Sequence, residues 1–387
     1  MLRTTLVLTL GLLFAPVVAA EEPAYRRGVN LAGAEFGKGI GVLNKDYTFN
    51  NEASFKYFGE KGFNVIRVPI KWERIQHELN GPLDPDHLKL LKQNVEWAKK
   101  YGTTVLIDLH NYARRKAKVG DTYKSCVIDA EVDGEVRVKA ADLADVWVKL
   151  SKEFKDENAV YGYGLMNEPH GMGTSDWKAI SNAVVKAIRD SGDTKLIAVA
   201  GESWSSAERW EKVNGATSWV VDPANNFIYE AHCYFDQDAS GSYKKTYAEE
   251  LAKNPNLTQL GKKRLAPFIE WCKRNNVKGF LGEFAVPADD PRWLEVLEIF
   301  MKELDEAGFG ATYWAAGTFW GKYPLSAQPT ENYTKDRPQT EVLLKHLSPG
   351  VRPSPSAPVA PTVPVVPATP EPAAAPTPVP TPVEAVK

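Results

Sequence analysis

The sequence predicts an α/β protein built as a single (β/α)8 barrel of the TIM type. Short apolar segments alternate with longer amphipathic ones throughout residues 21–347. The short segments lack the polar alternation of a half-exposed sheet, which is typical of parallel strands covered on both faces. A closed barrel of this type requires eight strand–helix units in roughly 250 residues, and this span is long enough to hold them.

The eight predicted strands occupy residues 28–31, 65–68, 105–108, 161–165, 196–199, 227–231, 279–282 and 311–314. Leucine and valine at helical spacing predict helices over residues 86–101, 142–154, 176–190, 263–274 and 291–307. An open doubly wound sheet is the alternative fold. The glycines after the first strand do not follow the G-x-G-x-x-G order of its phosphate-binding turn, so the barrel is favoured.

Two terminal segments lie outside the predicted barrel. Residues 1–20 combine a positive charge at Arg3, a short apolar run and small residues ending at Ala20, which is typical of a secretory signal. The run is too short to favour the alternative, a membrane anchor, and no later segment suits a membrane span. We therefore expect a secreted or periplasmic protein, cleaved near Ala20. Residues 348–387 are rich in Pro, Ala, Val and Thr, which predicts a disordered tail or linker.

The composition excludes several classes of partner. A formal net charge of −2 argues against a nucleic-acid or anionic-membrane partner. The 11 tryptophans are core residues by default, but so many also suit a protein that stacks on flat sugar faces.

The spacing of Cys126, Cys233 and Cys272 fits no metal-binding pattern, and their pairing stays open. We expect a monomer that uses neither a metal nor another cofactor.

Polar and aromatic residues follow the predicted strands at the end where such barrels hold their active sites. Among them, Glu168 follows the fourth strand and Glu283 ends the seventh. Hydrolysis of a glycosidic bond with retention needs a carboxylic acid and a carboxylate about 5–5.5 Å apart. Strands four and seven are expected on opposite sides of the barrel, so the two groups would face each other. The alternative is that either residue is an ion-paired or solvated glutamate with no catalytic role.

Seven stretches of the predicted barrel carry a recognisable set of motifs: residues 28–37, 67–74, 108–114, 164–170, 230–236, 282–284 and 313–317. They include Asn167-Glu168-Pro169 and Gly282-Glu283-Phe284. In content and order they resemble glycoside hydrolase family 5, the cellulase family, and above all its bacterial and fungal endo-β-1,4-glucanases. The resemblance implies an exported retaining endo-β-1,4-glucanase that cuts internal bonds of a β-glucan by double displacement.

The resemblance also assigns roles. Glu168 is similar to the acid/base of the family and Glu283 to its nucleophile. The supporting or substrate-binding residues would be Arg67, His110, Asn111, Asn167, His232, Tyr234 and Trp314. Arg67, placed at the end of strand two, and Tyr234 would stabilise the Glu283 anion. Asn167 would bind the sugar 2-hydroxyl, and Trp314 would stack beneath the sugar.

Two further groups of residues are predicted near the cleft. His232 and Tyr234 lie two apart on one strand, so both should point into the barrel while Cys233 points away from it. Additional stacking positions are Trp72, Trp204 and Trp320, for which loop packing is the alternative. Residues 115–139 are charged and predict an inserted loop or hairpin beside the cleft.

Three other functions remain open at this point. The same site could act on xyloglucan, mannan, mixed-linkage glucan or a bacterial exopolysaccharide, because specificity resides in loops. A non-catalytic carbohydrate-binding barrel is a second class, which the complete set of polar residues disfavours. A surface protein displayed through its proline-rich tail is a third.

Overall fold

The structure, a computed structural model, describes residues 25–321 and 323–348. The predicted signal segment 1–20 and residues 349–387 of the predicted tail lie outside these ranges. Eight parallel strands close into a barrel, which confirms the predicted (β/α)8 fold. The barrel strands are β1 Arg27–Leu31, β2 Val65–Ile70, β3 Val105–Leu109, β4 Val160–Gly164, β5 Leu196–Ala200, β6 Phe227–His232, β7 Gly279–Glu283 and β8 Gly310–Ala316.

Helices cover the outside of the barrel. They are α1 Glu52–Glu60, α2 Trp72–Ile75, α3 Pro85–Lys100, α4 Ala140–Phe154, α5 Trp177–Asp190, α6 Trp210–Asn214, α7 Tyr247–Lys253, α8 Leu260–Asn275, α9 Arg292–Ala307 and α10 Pro338–Leu344. The five predicted helices are confirmed as α3, α4, α5, α8 and α9. Most of the other helices have seven residues or fewer, which is too short to show a helical period in the sequence.

Local contacts fix the start of α3. Asp84 is the N-cap, and its carboxylate accepts a hydrogen bond from the backbone N–H of His87 at 2.8 Å. Pro85 occupies the first helical position, where a missing N–H leaves no hydrogen bond unmade. The first turn of α3 is therefore firmly held.

The barrel interior has two chemically distinct halves. Its N-terminal half is filled by a small apolar cluster: Val65, Leu106, Leu196, Ala198, Ile228 and Phe280. Two residues further along three of these strands, on the same face, stand the charged residues Arg67, Asp108 and Glu230. A larger apolar cluster fills the layer between strands and helices. The apolar half closes the barrel floor beneath the polar half.

An irregularity in the pairing of β6 with β7 shapes the polar half. Ala231 pairs with Leu281, but His232 pairs with Glu283, so Gly282 is an extra residue on β7. A Cβ atom at position 282 would lie 2.0 Å from Oε1 of Glu230. Only glycine leaves space for that carboxylate.

The predicted insertion between β3 and α4 is a pair of β-hairpins. Arg114–Val119 pairs with Thr122–Val127, and Glu131–Val132 pairs with Glu135–Val136. Arg115 ties the first hairpin to the loop after α2, because its guanidinium donates to the carbonyl oxygen of His77 at 2.8 Å.

Within the described ranges, no helix is both long and apolar enough to cross a bilayer. The three cysteines are all free and buried. Cys233 packs in the apolar layer between strands and helices, as its outward position on the chain after β6 predicted.

Candidate active site

Glu168 and Glu283 meet at the C-terminal mouth of the barrel. One carboxylate oxygen from each lies within 4.8 Å of the other and of a His232 ring nitrogen. The side chains are 15% and 6% exposed, so Glu168 has the better access to solvent. The expectation that their strands lie on opposite sides is wrong: β5 and β6 alone separate β4 from β7. The two strands are three steps apart around the ring of eight, one fewer than in a diametric arrangement, which brings the two carboxylates closer.

Glu283 is held by two donors. The Tyr234 hydroxyl donates to Oε2 at 2.7 Å, and Arg67 lies 3.3 Å from Oε1. Burial raises the pKa of the Glu283 carboxyl, and the charge of Glu168 acts in the same direction. The positive charges of His232 and Arg67 oppose that rise. Ionisation of Glu283 therefore depends on the two cations beside it.

Arg67 is shared among three carboxylates. Its Nη2 lies 2.8 Å from Glu230 and 3.0 Å from Asp108, while Nη1 reaches Glu283. Although burial opposes its charge, these carboxylates together raise the pKa of Arg67, so it is a permanent cation. The sequence prediction placed Arg67 at a strand end, which is wrong because β2 continues to Ile70. From mid-strand, the long side chain still reaches the mouth.

His232 is the second buried cation. Its Nδ1 lies 2.7 Å from Oε1 of Glu168, and its Nε2 lies 3.1 Å from Oε1 of Glu230. Burial disfavours the charged ring, but Glu283, Glu168 and Glu230 outweigh it and raise the pKa of His232 to about 10. Both nitrogens therefore donate at neutral pH. The prediction that His232 and Tyr234 point into the barrel is confirmed.

His110 lies nearby in the opposite charge state. Burial lowers the pKa of its ring to about 3. Nδ1 donates to Asp108 at 2.8 Å, and Nε2 accepts from the amide nitrogen of Asn167 at 3.1 Å. The oxygen of that amide accepts from Arg67 at 2.8 Å. Asn167 is thus fixed in one orientation, and among the described contacts its second N–H hydrogen is unused.

Trp314 is partly exposed at the end of β8. Its ring stacks on His110 with a centroid separation of 5.3 Å and meets Trp320 edge-on at 5.9 Å. Trp320 is also half-buried and packs against Phe36. Trp314 and Trp320 thus form an aromatic wall on the β8 side of the glutamates.

A second aromatic group lies on the Glu168 side. Trp204 is 43% exposed and stacks on His170 with ring centroids 4.6 Å apart. Nδ1 of His170 donates to the carbonyl oxygen of Glu168 at 3.0 Å, and Arg114 donates to the carbonyl oxygen of His170 at 2.7 Å. The hairpin residue Arg114 therefore braces the loop that carries Glu168. Sequence reasoning gave Arg114 and His170 no role.

Two of the predicted site residues, Trp72 and Asn111, make structural contacts instead. Trp72 is fully buried and donates to Gln76 at 3.0 Å, so the predicted stacking role is wrong because no ring face reaches solvent. The Asn111 amide bonds elsewhere than to Glu168 and Glu283. It accepts from the backbone N–H of Trp72 at 2.8 Å and donates to Glu73 at 2.8 Å. It ties the loops after β2 and β3 together.

Sequence reasoning missed Glu230 and Asn30. Glu230 lies two residues before His232, so the alternation that placed His232 and Tyr234 inside the barrel also places Glu230 there. Asn30 accepts from Arg67 at 2.9 Å and donates to the carbonyl oxygen of Gly282 at 2.8 Å. A polar side chain between Val29 and Leu31 on β1 was the available signal.

A barrel that brings two glutamates together at its mouth, with buried cations beside them, has the architecture of a glycoside hydrolase. The model for the cellulase family, glycosyl hydrolase family 5, matches residues 22–319. The chain belongs to glycoside hydrolase family 5 and is a glycoside hydrolase.

Similar proteins agree with this assignment. The chain is 31% identical to endo-β-1,4-glucanase B of Emericella nidulans over 309 residues, covering 79% of this chain and 86% of the relative. The Pseudomonas stutzeri endoglucanase Cel5A in complex with cellobiose is 36% identical, with a TM-score of 0.74 over 87% of this chain and 97% of that one. The endo-β-1,4-glucanase Xac0029 of Xanthomonas axonopodis pv. citri is 33% identical, with a TM-score of 0.72 over 84% and 98%.

Proposed function

We propose that the protein is an exported retaining endo-β-1,4-glucanase, with Glu168 as acid/base and Glu283 as nucleophile. The observation that carries the mechanism is the approach of the two carboxylates within 4.8 Å. Retaining enzymes hold this pair about 5–5.5 Å apart, whereas inverting enzymes need about 6.5–9.5 Å to admit a water molecule. The short separation supports direct attack by a carboxylate.

In the first step, Glu283 attacks the anomeric carbon and Glu168 gives its proton to the departing glycosidic oxygen. The bond to the leaving sugar breaks as an ester bond to Glu283 forms. Because His232 holds Oε1 of Glu168, the transferable proton would reside on Oε2. We expect the second N–H of Asn167 to donate to the sugar 2-hydroxyl, a contact that strengthens in the transition state.

In the second step, water replaces the leaving sugar. Glu168, now ionised, takes a proton from water, and the resulting hydroxide attacks the anomeric carbon and releases Glu283 as a carboxylate. Arg67, Tyr234 and the imidazolium of His232 stabilise that returning charge. Two inversions give net retention.

The substrate proposal has a separate basis. The family assignment, together with relatives that are named endo-β-1,4-glucanases, supports a β-1,4-glucan cut at internal bonds. Aromatic groups lie on both sides of the two glutamates. They suit stacking against a sugar chain that extends beyond the glutamates on either side. Export is supported by the signal pattern of residues 1–20.

Replacement of the glutamates tests the mechanism. Glu283→Gln is expected to lower kcat by a factor on the order of 10⁴ to 10⁶, as loss of a nucleophile does, while cello-oligosaccharides still bind. Glu202→Gln is the matched control, since Glu202 is a half-buried glutamate on the loop after β5 and should turn over normally. Normal turnover by Glu283→Gln would reject the nucleophile assignment.

Product analysis tests stereochemistry and substrate separately. Proton NMR of early products should show the β-anomer first, and an initial α-anomer would mean inversion. A panel of carboxymethylcellulose, barley glucan, xyloglucan, mannan and xylan should show highest kcat/KM on the unsubstituted glucans, with a rapid fall in viscosity that marks internal cleavage. Highest activity on mannan or xyloglucan would overturn the substrate while leaving the mechanism intact.

A further inference from the structure

We propose a zinc-type metal site formed by His77, Asp84 and His87, separate from the glutamate pair. His77 lies on the loop after α2, and Asp84 and His87 lie at the start of α3. One donor atom from each of the three residues lies within 4.8 Å of the other two. Two imidazoles and one carboxylate, with an open fourth position, are a familiar ligand set for Zn²⁺.

The separations between donor atoms are close to those of ligands around one small ion. Nε2 of His77 lies 3.5 Å from Oδ2 of Asp84, and Nδ1 of His87 lies 2.9 Å from Oδ1 of Asp84. Ligands at the usual zinc distances of about 2.0–2.2 Å stand about 3.3 Å apart in a tetrahedron. The two histidines approach different oxygens of the Asp84 carboxylate, so an ion held by all three residues requires side-chain movement within the 4.8 Å cluster.

His87 is already oriented by a second contact. Its Nε2 lies 2.8 Å from the Tyr47 hydroxyl, and the two rings stack with centroids 5.5 Å apart. Metal-binding histidines commonly have such a partner on the other ring nitrogen, which fixes ring orientation and tautomer. If the Nε2 proton is donated to Tyr47, the lone pair of Nδ1 faces Asp84.

Access and charge restrict the kind of ion. The His77 side chain is 43% exposed, so solvent can supply a fourth ligand. Arg74 lies over the Tyr47 ring at 3.7 Å and opposes additional positive charge. One carboxylate against that cation is a weak attraction for Ca²⁺ or Mg²⁺, which prefer several oxygens. Two imidazoles favour Zn²⁺, Co²⁺ or Ni²⁺.

A bound ion would fasten the loop after α2 to the first turn of α3. The same loop receives Arg115 from the first hairpin and is bonded to α4 through Asn80 and Asp142 at 2.7 Å. The site would therefore stabilise one border of the cleft without contacting the reacting atoms.

Metal binding by the untagged, chelator-treated protein tests the proposal. One equivalent of Co²⁺ should give the strong visible absorption of a tetrahedral complex, and Zn²⁺ should displace it and raise Tm. His77→Ala and Asp84→Asn should each weaken Zn²⁺ binding by about 100-fold or more, since each removes a ligand. Asn replaces Asp as a helix cap with little loss, so Asp84→Asn should remain folded.

Three further variants distinguish metal binding at this site from metal binding elsewhere on the protein. Asp86→Asn, a neighbour in the same turn of α3, should bind as the wild type does. Glu283→Gln should also bind normally, which excludes the carboxylates of the active site as the ligands. Tyr47→Phe should weaken binding by about 10-fold through loss of the orienting contact. Absence of a Zn²⁺-dependent rise in Tm, or unchanged binding by His77→Ala, would overturn the proposal.

Discussion

The two halves of the barrel interior are built on the same strands and the same residue alternation, yet their chemistry is opposite. Val65, Leu106 and Ile228 close the floor with apolar side chains. Two residues further along, Arg67, Asp108 and Glu230 fill the next layer with charges that have almost no contact with water. The floor is stabilised by removal of apolar surface, whereas the polar layer persists only because each charge has partners.

This contrast shows that the ionisation states of the active site are set by the polar layer. Cation and carboxylate charges in the polar layer are interdependent, so removal of one changes the ionisation of the rest. Side chains of the floor act through volume alone. The following substitutions test that difference.

The largest effect is expected from Arg67→Met. Methionine fills similar volume but leaves three carboxylates without their shared cation, and breaking a buried pair costs about 3–5 kcal/mol. The free energy of unfolding at pH 7 should fall by that amount, and kcat/KM should fall with it. Urea denaturation and steady-state kinetics measure both. Wild-type stability in this variant would show that the carboxylates do not need Arg67.

Leu106→Ala, in the floor, should separate stability from activity. Loss of a fully buried leucine costs about 2–5 kcal/mol through lost burial and the cavity that remains. Turnover at a temperature well below the unfolding transition should stay near that of the wild type. A large fall in kcat with an intact fold would mean that the floor also positions the charged layer.

His232→Asn should move pH profiles in a predictable direction. Without the imidazolium, the pKa of Glu283 should rise further, so the acidic limb of kcat/KM should shift to higher pH. The folded pKa of about 10 exceeds the ordinary 6.5, so protonated His232 stabilises the fold below about pH 6.5 and less as pH rises toward 10. That alkaline loss of stability should be absent from the variant. An unmoved acidic limb would contradict the coupling.

The smallest effect is expected outside the barrel interior. Trp204→Ala should raise KM for long cello-oligosaccharides about fivefold with little change in kcat, because one aromatic contact is worth about 1 kcal/mol. Tyr123→Ala is the control, since Tyr123 is exposed on the hairpin but has no described contact with the site. Equal effects of both substitutions would remove Trp204 from the proposed sugar path.

Much of the fold was predictable because its signals are local. Each strand is a short apolar run, and a residue spacing of two correctly placed His232 and Tyr234 on one face. Glu230 obeys the same rule and should have been found with them. The polar layer was recognisable as pairs of residues on one strand, but not as a network between strands.

The errors came from features that depend on tertiary contacts. Trp72 lies in α2, a helix of four residues whose burial under Arg115 depends on the inserted hairpin. Asn111 was expected at the glutamates, but its amide satisfies the backbone of a loop that is distant in sequence. The bracing of Glu168 by His170 and Arg114 joins two loops whose proximity no periodicity reveals.

Gly282 limits how this enzyme can be altered, by evolution or in the laboratory. Any side chain there would occupy the volume that Oε1 of Glu230 fills, and Glu230 in turn anchors both buried cations. Substitution of position 282 alone should therefore fail, and replacement of Glu230 alone should leave a void and remove one carboxylate from each cation. A side chain at position 282 would require a smaller residue at position 230 as well, and a library that samples single substitutions contains no such pair.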